Sequence, residues 1–237
     1  MLKVPKPAPR LGQDGPVHRR RLGDDVTRRI RDALQNGTFQ AGERLGVQTL
    51  ADELGVSTMP VREALVSLWN EGLIEAIPGR GFRAIQPRPI DIEDVFAIHA
   101  FIARRLAGRA AEVITDDVLD QLRFLQSEIS RVVESGLPEP DVARMVEELN
   151  FSFHRTINSV VEAPRLKWFL RATTRHVPRG YYTTVPGWPQ ATLQDHGAII
   201  DALAAHDGVT AGRLMEAHVV RGGNLAAEQR RGVGQDR

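Results

Sequence analysis

The chain has 237 residues, no cysteine, 42% hydrophobic and 26% charged residues, which is ordinary for a soluble globular protein and excludes a disulfide framework, zinc fingers, thiolate metal sites and a cysteine nucleophile. The formal net charge is only +1, but residues 1–89 carry 14 Lys/Arg against 10 Asp/Glu and residues 90–237 carry 17 against 20, so an anionic partner is expected at the front end. No run approaches the ~18 uninterrupted apolar residues of a membrane span, and Met1 to Arg21 has no apolar signal core, so one or two cytoplasmic domains without a membrane partner are expected.

Residues 1–21 are expected to be a disordered basic tail, since four prolines, two glycines and few large apolar side chains cannot offset the ordering entropy. Its His18-Arg19-Arg20-Arg21 run either touches phosphates or is simply solvated. Val26, Ile30, Ala33 and Leu34 fall at helical spacing and predict a helix over 23–36, stopped by Asn36-Gly37. Thr38 to Leu45 reads as a turn-rich connector. A second helix is predicted over about 47–54 with Gly55 as its stop. Ser57 reads as the N-cap of a third helix that runs to about Asn70, with Pro60 in its first turn. Leu73–Ile77 and Phe82–Ile85 read as a hairpin joined by Pro78-Gly79-Arg80-Gly81. Pro87 and Pro89 mark a stiff linker, 87–90. Beyond it, helices are predicted at about 91–113, 115–135, 139–161, 163–178, 189–206 and 209–229, with a flexible tail at 230–237. The fold class is mainly α: a winged helix-turn-helix of three helices plus a β-hairpin over 22–86, then an all-α antiparallel helical bundle over 91–229.

Helix, helix, tight Gly-containing turn, helix and hairpin within about 65 residues is the winged helix-turn-helix plan. Its third helix would present Ser57, Thr58, Met59 and Arg62 to a DNA major groove, with backbone N–H groups available for a phosphate. Arg62 offers a fork suited to guanine or phosphate. The tip Gly79-Arg80-Gly81 would carry Arg80 to the minor groove or the backbone, its glycines allowing close approach.

Ala41-Gly42-Glu43-Arg44-Leu45, Leu50-Ala51-Asp52-Glu53-Leu54-Gly55-Val56-Ser57, Pro60-Val61-Arg62-Glu63-Ala64-Leu65, Glu71-Gly72-Leu73-Ile74 and Pro78-Gly79-Arg80-Gly81-Phe82 closely resemble the GntR family of bacterial transcription regulators. The resemblance covers 22–86 and implies a homodimer on operator double-stranded DNA. It departs at two positions: the family commonly has DNA-contacting arginines where this chain has Gln48 and Thr58. An altered operator or weaker salt-dependent affinity follows. The candidate DNA-binding set is Gln48, Ser57, Thr58, Met59, Arg62, Gly79, Arg80 and Gly81.

In the back half, Asn150 and His154 stand i,i+4 on one helix face. His196 precedes His206 by ten residues and His218 follows Gly208 by ten. If those two helices form an antiparallel hairpin, both histidines lie at one height, roughly 15 Å from the turn. Asn150, His154, His196 and His218 would then form a four-point N/O cage for zinc, nickel or another borderline divalent ion. Any one of these histidines alone reads as a core or interface residue. His18, His176 and His206 keep that reading.

Asn150-Phe151-Ser152-Phe153-His154, Asp195-His196-Gly197-Ala198-Ile199-Ile200-Asp201-Ala202-Leu203 and Met215-Glu216-Ala217-His218 resemble the motifs of the FCD effector domain, the C-terminal half of the FadR subgroup of GntR regulators. That resemblance implies that the four cage residues are metal ligands, with Asn150 where Asp is commoner. It also implies a pocket for a small-molecule carboxylate. The family usually has Arg and, four residues on, Glu where this chain has His99 and Ala103; the family Arg often faces the effector. Neutral imidazole cannot replace a guanidinium at pH 7. The effector-binding candidates are His99 and Arg175, with Arg104 and Arg171 as other substitutes for the missing cation.

The expected function is a sequence-specific DNA-binding transcriptional regulator, read as a repressor, whose helical domain senses a small organic acid beside a divalent metal. Two alternatives are a metal-dependent enzyme on the bundle and a DNA-binding dimer with an empty cage. The enzyme reading lacks a nucleophile motif, an HExxH and a phosphate loop.

Overall fold

Apolar side chains recur along α1 (Leu22–Gln35) at Val26, Ile30, Ala33 and Leu34, and all four are buried. The computed structural model describes residues 22–35, 37–177, 185 and 187–235. The tail at 1–21, Asn36 and most of the Pro178–Pro189 break lie outside the described residues. The chain divides into two units between Gln86 and Pro87.

In the first unit, α1 is followed by β1 (Arg44–Leu45), α2 (Val47–Leu54), α3 (Thr58–Asn70), β2 (Ile74–Ile77) and β3 (Gly81–Ala84). The sheet is antiparallel in the order β1-β3-β2, with Leu45 opposite Phe82 and Ile74 opposite Ala84. The connector expected at 38–45 therefore ends in a strand that widens the hairpin to three strands. Leu45 is buried in the same core as Ile30, Leu50, Leu65, Leu68 and Ile74. Full burial of each such side chain is worth about 1.5–3 kcal/mol.

Gly55 closes α2 in the left-handed region at φ 68°, and the Val56 N–H reaches the Ala51 carbonyl at 3.0 Å. That tight stop sets α3 off at once in a new direction. Ser57 has the extended backbone of an N-cap, but its side chain makes no capping bond. Its expected capping role is thus confined to the backbone. Arg31 of α1 and Glu71 just past α3 form a half-buried ion pair at 2.6 Å that ties the two helices together.

The second unit holds α4 (Pro89–Val113), α5 (Asp116–Val133), α6 (Glu139–Ser159), α7 (Pro164–Thr174), α8 (Trp188–Ala204) and α9 (Gly208–Gln235). Two boundaries differ from the sequence reading. Pro89, assigned to the linker, begins α4, where a missing N–H breaks no helical bond. The tail expected from 230 is helical to Gln235. No helix of the described residues is long and apolar enough to cross a membrane.

α4 and α9 pack antiparallel and very closely. A Cβ on Gly208 would stand 2.6 Å from the Gly108 carbonyl oxygen, one on Gly212 would stand 2.9 Å from the Arg104 carbonyl, and one on Gly223 would stand 2.4 Å from Phe96 Cβ. The α8–α9 turn is held by His206, which takes a positive φ of 54° and whose Nδ1 lies 2.7 Å from the Ala111 carbonyl oxygen. Asp207 then caps α9, accepting the Thr210 N–H at 3.0 Å. These contacts fix the height at which α8 and α9 face each other, and with it the site.

Candidate functional site

The histidines of α6, α8 and α9 meet in the second unit. One ring nitrogen from each of His154, His196 and His218 lies within 4.8 Å of the other two. The Nε2 atoms of His154 and His218 are 3.2 Å apart. Ring centroids of His196 and His218 are 4.9 Å apart, so the expected common height of the two residues is met.

Each ring is oriented by packing. His196 is fully buried and stacks on Phe153 with centroids 3.7 Å apart and planes 7° from parallel. His218 Nδ1 lies 3.1 Å from Asp195 Oδ2, and Asp195 also pairs with Arg221 at 3.3 Å. A carboxylate oxygen accepts, so His218 Nδ1 donates to Asp195 and Nε2 is the nitrogen turned toward His154. Burial first, and the neighbouring His218 second, push His154 and His196 well below the usual imidazole range. Both are neutral at pH 7 and retain ligand lone pairs.

The residues present fit a metal ion. Both ring nitrogens of His196 and Oδ1 of Asn150 are buried without a hydrogen-bond partner among the described residues. Leaving such atoms unsatisfied costs about 1–3 kcal/mol each. Nitrogens around a tetrahedral zinc stand about 3.3 Å apart, given Zn–N bonds of about 2.0–2.1 Å. The His154–His218 separation already matches that, and the remaining spacing needs only small side-chain shifts. The site could therefore bind a metal.

Asn150, His154 and His218 line a cavity of about 440 Å³ between α4, α6, α7, α8 and α9. His99 lines it from α4. Its Nδ1 is 3.0 Å from Thr173 Oγ1, and the Thr173 hydroxyl donates to the Leu170 carbonyl at 2.8 Å. The hydroxyl has a single proton, so His99 Nδ1–H must donate to it, and Nε2 is the ring's acceptor. Burial, aided by His218, holds His99 down to about 4. It is not a cation at neutral pH.

Arg175 sits at the C-cap of α7 and is not among the described residues that line the cavity, whereas Arg155, Lys167 and Arg171 are. Arg104 pairs with Glu216 at 2.8 Å instead. Arg171 precedes Arg175 by about one turn on α7, and only the packing of α7 distinguishes them. Asp195, Arg221 and Thr173 were also missed as orienting residues. The adjacency of Asp195 to His196 was the only signal in the sequence.

In the first unit, Gln48, Ser57, Met59, Arg62, Gly79, Arg80 and Gly81 are exposed and Thr58 is half-buried. Met59 keeps 64% of its surface exposed. Gln48 Nε2 donates to Asp52 Oδ1 at 3.0 Å, within α2. At the hairpin tip, the Arg80 N–H reaches the Ile77 carbonyl at 2.9 Å and Gly79 has φ 67°, the pattern of a type II turn with Pro78 before the glycine. The Arg44 guanidinium donates to the Arg80 carbonyl at 2.8 Å and braces that tip.

Comparisons with known proteins agree with this architecture. A family model described as bacterial regulatory proteins, gntR family, matches residues 22–83, and one described as the FCD domain matches 94–221. The chain is 30% identical over 232 residues, 84% of each chain, to a protein named putative L-lactate dehydrogenase operon regulatory protein in Escherichia coli (strain K12). It is 27% identical over 161 residues to an uncharacterized HTH-type transcriptional regulator of Mycobacterium tuberculosis (strain CDC 1551 / Oshkosh). That match spans 68% of this chain but only 63% of the relative. Among solved structures, E. coli McbR/YncC superposes with a TM-score of 0.67 over 88% of this chain and 97% of that one, at 20% identity. At that identity the likeness is one of fold.

Proposed function

The chain belongs to the gntR family of bacterial regulatory proteins and carries its FCD domain, and from that premise we propose that it is a DNA-binding transcriptional regulator whose helical unit senses a small carboxylate beside a bound divalent metal. The observation that carries the sensor reading is the meeting of His154, His196 and His218, of which His154 and His218 line a 440 Å³ cavity.

In this reading Asn150, His154, His196 and His218 hold zinc or nickel, since three imidazoles and an amide oxygen suit a borderline ion. The bound ion supplies the positive charge on which a carboxylate docks. His99 does not, because its ring is neutral and its Nδ1–H is committed to Thr173. Its Nε2 accepts a hydrogen bond from a donor on the ligand. Asp195 orients His218, as outer-shell carboxylates commonly orient metal-binding histidines. Asn150 in place of Asp leaves the site one charge less negative.

The first unit reads the operator through the N-terminal end of α3 and the wing. Arg62 and Arg80 carry the charged contacts, with Gln48, Ser57, Thr58, Met59, Gly79 and Gly81 around them. The regulator acts as a homodimeric repressor, and the acid shifts it toward a state with lower operator affinity. That requires the ligand to bind the two states unequally.

The test is a mobility-shift titration of the full-length protein on DNA from around its own gene, at fixed salt, with and without small carboxylates. L-Lactate is the first probe, given the name of the Escherichia coli relative. At least a tenfold loss of operator affinity with one acid is expected. Retarded DNA that no acid releases overturns the sensor reading, and absence of any retardation overturns the DNA reading.

A further inference from the structure

The cavity beside the histidines is charged in a way that the metal alone does not explain. Arg155 on α6 and Lys167 and Arg171 on α7 line it, and none of the three has an ion-pair partner among the described residues. Lys167 makes only a long 3.4 Å bond to the Ser159 carbonyl. Elsewhere in this unit Arg104, Arg123, Arg131, Arg221 and Arg231 pair with carboxylates, and arginines unpaired among the described residues, such as Arg105, Arg109 and Arg165, do not line the cavity. No Asp or Glu is among the described residues that line the cavity. Three cations without a counter-charge around one concave, partly apolar space focus a positive potential there.

Their position is definite. Lys167 reaches the carbonyl of Ser159, the last residue of α6, which lies five residues beyond His154. At 1.5 Å per residue that is roughly 7.5 Å along the helix from the histidine cluster. Lys167 and Arg171 stand i,i+4 on α7 and so share a face. The cavity's apolar lining includes Phe96, Leu170, Met215 and Val219. A volume of about 440 Å³ equals that of about fifteen waters at ~30 Å³ each, so a three-carbon acid leaves most of it to solvent.

We propose that the natural ligand is a dianion with two separated anionic groups: a carboxylate head at the histidine cluster and a second carboxylate or a phosphate held by Arg155, Lys167 and Arg171. This rests on the sensor reading above and adds the class of ligand. Guanidinium groups match either anion with paired N–H donors, and the apolar walls fit a short methylene spacer.

The experiment is calorimetry on full-length, metal-loaded protein. Succinate, glutarate and adipate are compared with butyrate, valerate and hexanoate, and phosphoglycolate tests phosphate as the second group. The best dianion is expected to bind at least tenfold more tightly than its matched monocarboxylate. The double variant Arg155→Gln with Arg171→Gln is expected to bring that ratio to about one, the loss of dianion affinity exceeding any loss of monocarboxylate affinity at least tenfold. Both side chains are exposed, so the fold is spared. Equal affinity for the two series, or a ratio that survives in the variant, overturns the dianion. Metal-dependent monocarboxylate binding without a dianion preference does so and leaves the sensor reading standing; no binding by either series removes both.

Discussion

The Nε2 atoms of His154 and His218 stand 3.2 Å apart although 64 positions separate the residues in sequence. Two imidazole nitrogens approach this closely through one shared proton or one shared ion. The unpartnered nitrogens of His196 beside them favour the ion.

If one ion is shared, His154→Ala, His196→Ala and His218→Ala each lose most bound metal. Elemental analysis of the purified variants checks this, and full occupancy in any one excludes that residue as a ligand. Metal removal should also lower the thermal midpoint of the wild type, because a ligand specific to the native state stabilises it by mass action.

Asp195 touches the cluster only through His218 Nδ1. Asp195→Asn is therefore expected to weaken metal affinity by about 10–100-fold without abolishing it. A competition titration against a chelator measures the change, and unaltered affinity would show that the Asp195–His218 contact orients nothing.

The height of the two hairpin histidines was legible because both count ten residues from the His206–Gly208 turn and a helix rises uniformly. That Asn150 and His154 share one face of a third helix was legible from their i,i+4 spacing, while a ligand role for them was implied only by the family resemblance. β1 was not, since Arg44 and Leu45 are too few to show an alternation. Arg155 and Lys167 were also hidden, and Arg171 was one of three arginines that the sequence left undistinguished. In sequence they resemble any solvated cations, and only the packing of α6 and α7 around one void sets them apart.

Arg62 is exposed near the start of α3. Arg62→Ala should cost about 1–3 kcal/mol of operator binding, the worth of one good base contact, with circular dichroism and oligomeric state unchanged. Unchanged affinity at fixed salt would remove Arg62 from the DNA surface.

Gly208→Ala sets two effects against each other. Gly208 is the first residue of α9, so replacing it gains less than the roughly 0.5–1 kcal/mol of a helix-interior glycine, and the new Cβ would sit 2.6 Å from the Gly108 carbonyl oxygen, a backbone atom that cannot swing away. Overpacking of this kind costs about 1–3 kcal/mol, so net destabilisation is expected in urea melts. A variant as stable as wild type would mean that α4 and α9 can separate freely.

The most direct measurement of the central claim is carboxylate binding to the full-length protein before and after metal removal. Calorimetry with the tightest-binding acid should show saturable binding to metal-loaded protein, no heat after complete chelation and dialysis, and full recovery when zinc or nickel is restored. Binding of equal affinity to the metal-free protein would contradict the metal-anchored sensor.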